Sequence, residues 1–292
     1  MSDQKIAMKV SVVSIFINLF LSLLKLFAGI FAHSGAMVSD AVHSASDVVS
    51  TIIVIIGVKL SGKQSDHEHP YGHERLESIA SILLAGLLLV TGTEIGYQGI
   101  LKILSGASGE NLKIPGLAAL LAAIISLLVK EWMFWYTRAT AKKINSDALM
   151  ADAWHHRSDA LSSVGSFIGI LGTQLGFPIL DPAASVIICL FIFKAAYDIF
   201  KDAVNKLVDH SCDEALENQM RKVVLEIDGV DRIDLLQTRL FGSKIYADVE
   251  IAADETLSLA EAHNIAEQVH HAIEKSFAQV KHCMVHVNPA NE

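Results

Sequence analysis

DAWHHRSDALSS, residues 152–163, is the stretch that decides how this chain is read. It runs directly into VGSFIGILGTQLG, residues 164–176, which has the composition of a helix facing lipid. Asp152, His155, His156, Arg157 and Asp159 therefore stand where a membrane segment begins. A bare carboxylate at the bilayer centre costs at least ~2.5–3.5 kcal/mol on insertion scales. Ionisable residues at this place need a compensating partner.

The composition around the stretch supports a membrane reading. Of 292 residues, 52% are hydrophobic and the mean hydropathy is +0.42, too apolar for a soluble domain of this length. The charge is unevenly placed. Residues 1–206 hold 16 acidic and 16 basic side chains, whereas residues 207–292 hold 16 acidic and 7 basic, so the whole excess of −9 lies in the tail. A neutral apolar part followed by an acidic polar part reads as a membrane domain, 1–206, and a soluble domain, 207–292. Nothing basic enough to hold nucleic acid is present. Cys189, Cys212 and Cys283 are scattered without a CxxC, which argues against a disulfide framework. The first apolar run lacks a small-residue cleavage site and reads as a retained span.

Six segments have the length and composition of membrane helices: 8–31, 36–60, 77–103, 114–136, 148–175 and 179–200. Lys5 and Lys9, Lys63 and Arg75, Arg138, Lys142 and Lys143, and Lys201 and Lys206 fall on one side of the membrane, against Lys102 and Lys113 on the other. The positive-inside rule then predicts that both termini are cytoplasmic. In the tail, DEALENQMRKVVLEI and SLAEAHNIAEQVHHAIEKSF have helical spacing, the second with Ser258 as N-cap. VDRIDLLQTRLFG, KIYADVEIAAD and KHCMVHVNP read as strands. The order αββαβ predicts a small two-layer α+β domain of ferredoxin or metallochaperone type.

Residues four apart share a helix face. His155 with Asp159 is such a pair, and Asp152 with His156 is another. Span two repeats the pattern in SDAVHSASDVVS, where His43 and Asp47 are four apart. No Lys or Arg lies on that stretch, and Arg157 is turned about 200° from His155 at 100° per residue. The expected partner is therefore a cation from outside the protein. Two imidazoles and two carboxylates suit a tetrahedral divalent ion, above all Zn²⁺, with Co²⁺ and Cd²⁺ as mimics. A closed four-ligand set leaves no position for a reactive water, and no HExxH occurs, so hydrolytic catalysis is not expected. Because ligands bind metal deprotonated, metal and protons compete for such a site.

SGAMVSDAVHSASD, HPYGHERLES and ADAWHHRSDALSS together resemble the cation diffusion facilitators, over nearly the whole chain. The resemblance implies a homodimeric six-span metal/proton antiporter with a cytoplasmic metal-binding domain, here in a bacterial inner membrane. It implies that His43, Asp47, His155 and Asp159 form the transport site, and that Asp66, His69 and His73 form a loop site. Asp234, Asp248, His263 and His286 match cytoplasmic metal positions, although Asn288 replaces a family acid and some relatives carry His in place of Asp234 and Asp248. His at the position of His43 resembles the zinc branches, with Fe²⁺, Mn²⁺, Co²⁺ and Cd²⁺ as alternative substrates; a non-transporting sensor is the rival reading. His210, His270, His271 and His282 read as ordinary surface histidines.

Overall fold

The computed structural model of the chain describes residues 3–31, 35–104, 117–174 and 180–290. It divides into two compact units, Met1–Ala203 and Val204–Glu292. The described residues of the first form six long helices: α1 (Asp3–Phe31), α2 (Gly35–Ser61), α3 (Arg75–Leu104), α4 (Leu117–Ile144), α5 (Asp147–Gln174) and α6 (Leu180–Leu207), whose last turn is assigned to the second unit. Each overlaps one expected span. Positions 114, 175 and 179, where expected spans begin or end, lie outside the described residues.

α4 continues to Ile144 rather than stopping at 136. Arg138, Lys142 and Lys143 end the apolar run, but Arg and Lys are good helix formers, so polarity ends the span without ending the helix. The break comes at Asn145, whose φ of 52° is left-handed. This lets the Ser146 N–H reach back to the Ala141 carbonyl at 3.0 Å. The Ser146 hydroxyl then accepts the Leu149 N–H at 3.3 Å and opens α5. Glu77 of α3 meets the same hydroxyl and ties a third helix to this corner.

The first unit buries many polar side chains beside its apolar core and exposes large apolar ones. Ser14, Asn18, Lys25, Ser44, Asp47, Thr51, Asp152 and His156 are buried, while Phe16, Leu23, Phe27, Leu83, Val90, Leu128, Leu190 and Phe191 are exposed. Water would reverse that distribution; hydrocarbon favours it. Among the described residues, the stretches Asp3–Ala28 and Arg75–Leu101 each contain an 18-residue window, of mean hydropathy 2.2 and 1.9, and are long and apolar enough to cross a bilayer by composition alone. Small residues bring helices close. A Cβ on Gly57 of α2 would stand 2.4 Å from the Ala80 Cβ of α3.

The second unit holds α7 (Glu214–Leu225), β1 (Arg232–Phe241), β2 (Lys244–Ala253), α8 (Leu259–Ser276) and β3 (Val280–Pro289), in the expected αββαβ order. β1 and β2 form an antiparallel hairpin turning at Gly242, φ 61°, between the paired Phe241 and Lys244. β3 lies parallel to β2 at the other edge, with α8 as the crossover. α8 starts in a capping box: the Ser258 hydroxyl accepts the Glu261 N–H, and Glu261 accepts the Ser258 N–H. Ile265, Val269 and Ile273 of α8 join Met220 and Val224 of α7 and Val249 and Ile251 of β2 in one core.

Candidate metal-translocation site

Three helices converge on one buried cluster. Asp47 from α2 and His155 and Asp159 from α5 bring ligand-type atoms within 4.8 Å of one another. The His155 Nε2 lies 3.4 Å from the Asp47 Oδ1. The helical periods explain the convergence: four residues place His155 and Asp159 on one face of α5. His43 sits on α2 one turn before Asp47, and its side chain lies outside the described residues.

The expectation that only an external cation compensates these carboxylates is corrected by α4. Lys130 Nζ donates to Asp47 Oδ2 at 2.6 Å and to Asp159 Oδ2 at 2.8 Å, and all three side chains are buried. Local pattern does not assign Lys130 to the site, because it lies inside the apolar run IISLLVKEWMFW, far along the chain from Asp47. A lysine within such a run was the available signal, since intramembrane charges seek a partner. A divalent ion binds a carboxylate oxygen at about 2.0–2.2 Å. The ammonium 2.6 Å from Asp47 Oδ2 competes with a divalent ion for that oxygen and repels a cation at Oδ1, the oxygen that faces His155.

The neighbouring ionisable residues are spent elsewhere. Arg157 pairs with Glu131 at 2.8 Å and lies over the Phe134 ring, turned away from His155 as its helical angle predicts. Asp152 and His156 are fully buried, 3.5 Å apart, and Thr51 donates to Asp152 at 3.4 Å. They form a separate pair beside the cluster. Lys25 is buried and donates to Ser44 at 2.8 Å.

Between α2 and α3 the chain folds around Asp66. Its Oδ1 accepts the His69 N–H at 2.8 Å and lies 3.2 Å from His69 Nδ1, and its Oδ2 lies 3.5 Å from His73 Nε2. Gly72, φ 103°, supplies the left-handed residue that brings His73 back. Lys63 also donates to Asp66 at 2.5 Å. That hydrogen bond, followed by the His69 N–H, holds the Asp66 carboxyl well below the usual carboxylate range. Asp66, His69 and His73 are thus brought together, with His67 and Glu68 exposed beside them.

In the second unit, no three of Asp234, Asp248, His263 and His286 share a donor cluster among the described residues. Asp234 is held by Arg232 at 2.7 Å and Asn288 at 2.9 Å, which keep its carboxyl below its ordinary range. Asp248 is on β2, opposite Met284, and His286 is on β3, opposite Glu250. His263 is exposed on α8, 4.0 Å from Glu267.

Comparison with known proteins shows the family. The cation efflux transmembrane domain family matches residues 11–208, and the cation efflux protein cytoplasmic domain family matches residues 212–290. The chain belongs to the cation diffusion facilitator family. It is 33% identical over 98% of its length to the manganese efflux system protein MneP of Bacillus subtilis, covering 97% of that protein. It is 34% identical to metal tolerance protein 2 of Oryza sativa over 90% of this chain and 73% of that one. A solved MamM C-terminal domain in its cadmium form is 26% identical and covers 26% of this chain and 94% of that one, with a TM-score of 0.26. As a cation diffusion facilitator the chain is a membrane protein for divalent metal efflux, with the metal as cargo.

Proposed function

We propose that this protein exports Zn²⁺ from the cytoplasm in exchange for protons. The observation that carries the reading is the buried convergence of Asp47, His155 and Asp159, with His43 one turn away on the same helix as Asp47. Two imidazoles and two carboxylates are a donor set for tetrahedral Zn²⁺. In the metal-free state Lys130 neutralises the acids; arriving metal takes its place. Rocking of the helices then exposes the site to the other side, where protons compete for the ligands and the metal leaves. Residues 1–206 are the transport domain and 207–292 a cytoplasmic regulatory and dimerisation domain. Asp66, His69 and His73 form a peripheral metal site, and Asp234, Asp248, His263 and His286 contact metal where the tails of two copies meet.

The test is flux in proteoliposomes under a pH gradient. Asp159→Ala lowers Zn²⁺ flux by more than about 100-fold, since even outer partners of metal ligands cost 10–100-fold. Full flux in that variant would remove the assigned site. A second reading takes Mn²⁺ as cargo, favoured by the 33% identity to a manganese efflux protein over 98% of the chain. Flux of Mn²⁺ above that of Zn²⁺ at equal free concentration in the same liposomes decides for it. Flux without any pH dependence removes protons as the counter-ion.

A further inference from the structure

We propose that His270, Glu274 and His282 form a divalent-metal site in the second unit, independent of the transport site and with water as its fourth ligand. His270 and Glu274 are four apart on α8 and share a face; His282 comes from the adjoining strand β3. Their ligand-type atoms all lie within 4.8 Å of one another.

The spacing suits a small ion. Glu274 Oε1 lies 3.4 Å from His270 Nε2 and 3.2 Å from His282 Nδ1. A tetrahedral ion with bonds of about 2.0–2.1 Å places neighbouring donors about 3.3–3.4 Å apart. Oxygen and nitrogen donors thus already stand at the edge length of the polyhedron they would make.

The orientation suits it as well. His270 Nδ1 is 2.7 Å from the Cys283 carbonyl, an acceptor, so that nitrogen carries the hydrogen. The opposite nitrogen, Nε2, faces the Glu274 carboxylate at 3.4 Å and is the one a metal between them would take once deprotonated. A backbone carbonyl holding one ring nitrogen is the usual support behind a metal-bound histidine. The N–H of the same Cys283 donates to Glu274 Oε1 at 3.2 Å. One residue of β3 therefore orients two donors while its neighbour supplies the third. These backbone bonds also cap the edge strand β3 at Cys283. Edge capping does not require the third donor, His282, to face the same carboxylate oxygen.

Two imidazoles and one carboxylate select borderline ions, Zn²⁺, Co²⁺, Ni²⁺ and Cd²⁺, over Mg²⁺ and Ca²⁺, which want oxygen shells. Glu274 and His282 are partly exposed, so water completes the fourth position. Occupation pins α8 to β3.

The experiment is equilibrium dialysis of the full chain in detergent against Co²⁺, with bound metal counted and its visible ligand-field spectrum recorded. His282→Ala and His282→Gln each lose one equivalent of Co²⁺ per chain, and His270→Gln loses the same one, with no further loss in the double variant. His271→Ala, on the same helix but 3.5 Å from Glu267 instead, loses none. Both His282 variants binding as much Co²⁺ as the parent overturns the site. So does an equal loss in His271→Ala, which would mark unspecific surface binding. Asp159→Ala removes a different equivalent, so failure here leaves the transport reading intact.

Discussion

Lys130 of α4 places its ammonium 2.6 Å from the Asp47 carboxylate of α2, across 83 residues of chain, and both side chains are buried. With Asp159 at 2.8 Å it makes a triad in which one cation serves two anions. Removing one member of a buried ionic group typically costs ~3–5 kcal/mol, because the remaining charges lose their partner. Lys130→Met therefore lowers the melting temperature of the metal-free protein. Zn²⁺ then raises that temperature further in the variant than in the parent, since no ammonium must leave first. Equal zinc-induced shifts in parent and variant would show that metal and Lys130 do not compete.

Lys63 holds Asp66 in the loop as Lys130 holds Asp47, but in solvent, with the Lys63 side chain 58% exposed. Exposed pairs are weak. Lys63→Ala is expected to raise metal affinity at Asp66, His69 and His73 by no more than a few-fold, read by competition with a chelating dye. His73→Ala removes that binding. Zn²⁺ flux persists in both variants.

Packing of α2 on α3 is testable at glycine. Gly57→Ala must move Ala80, whose Cβ would be 2.4 Å away, and overpacking of this kind costs typically ~1–3 kcal/mol. Gly86 of α3 has nothing within 4 Å of an added Cβ. Gly86→Ala is neutral or stabilising by up to about 1 kcal/mol, from helix propensity alone. Thermal unfolding in detergent should separate the two variants, and a Gly57→Ala protein as stable as Gly86→Ala contradicts the α2–α3 contact.

Burial pushes the Cys212 thiol up, opposed by the Thr238 hydroxyl and reinforced by Glu217 and Asp213. A thiol raised in the folded state adds stability below its unfolded value, near 8.5, and loses it as pH rises through the folded value. Cys212 should label slowly with a thiol reagent at pH 8 in the native protein and fully in denaturant. Stability should fall above pH 9. Fast native labelling of Cys212 excludes the buried, protonated thiol.

Much of this was legible from local pattern. Apolar runs marked all six long helices, and the αββαβ order followed from period and caps, because Ser258 and Glu261 report a helix start within three residues of chain. His155 and Asp159 were readable as a pair because a helix brings i and i+4 together whatever surrounds it. Asp66, His69 and His73 were marked by the family resemblance, and a short loop with Gly72 brings them together in the structure.

Which helix faces which obeys no such local rule. Lys130 answers Asp47 and Asp159 only because α4 packs against α5 and its long side chain reaches α2, and His282 joins His270 and Glu274 only because β3 lies against α8. By itself the sequence determined the elements, the carboxylates and imidazoles set among apolar residues, and the need to neutralise them. Tertiary structure alone decided that a lysine from within the protein meets that need, since a buried charge takes the nearest counter-charge in space, wherever it lies in the chain.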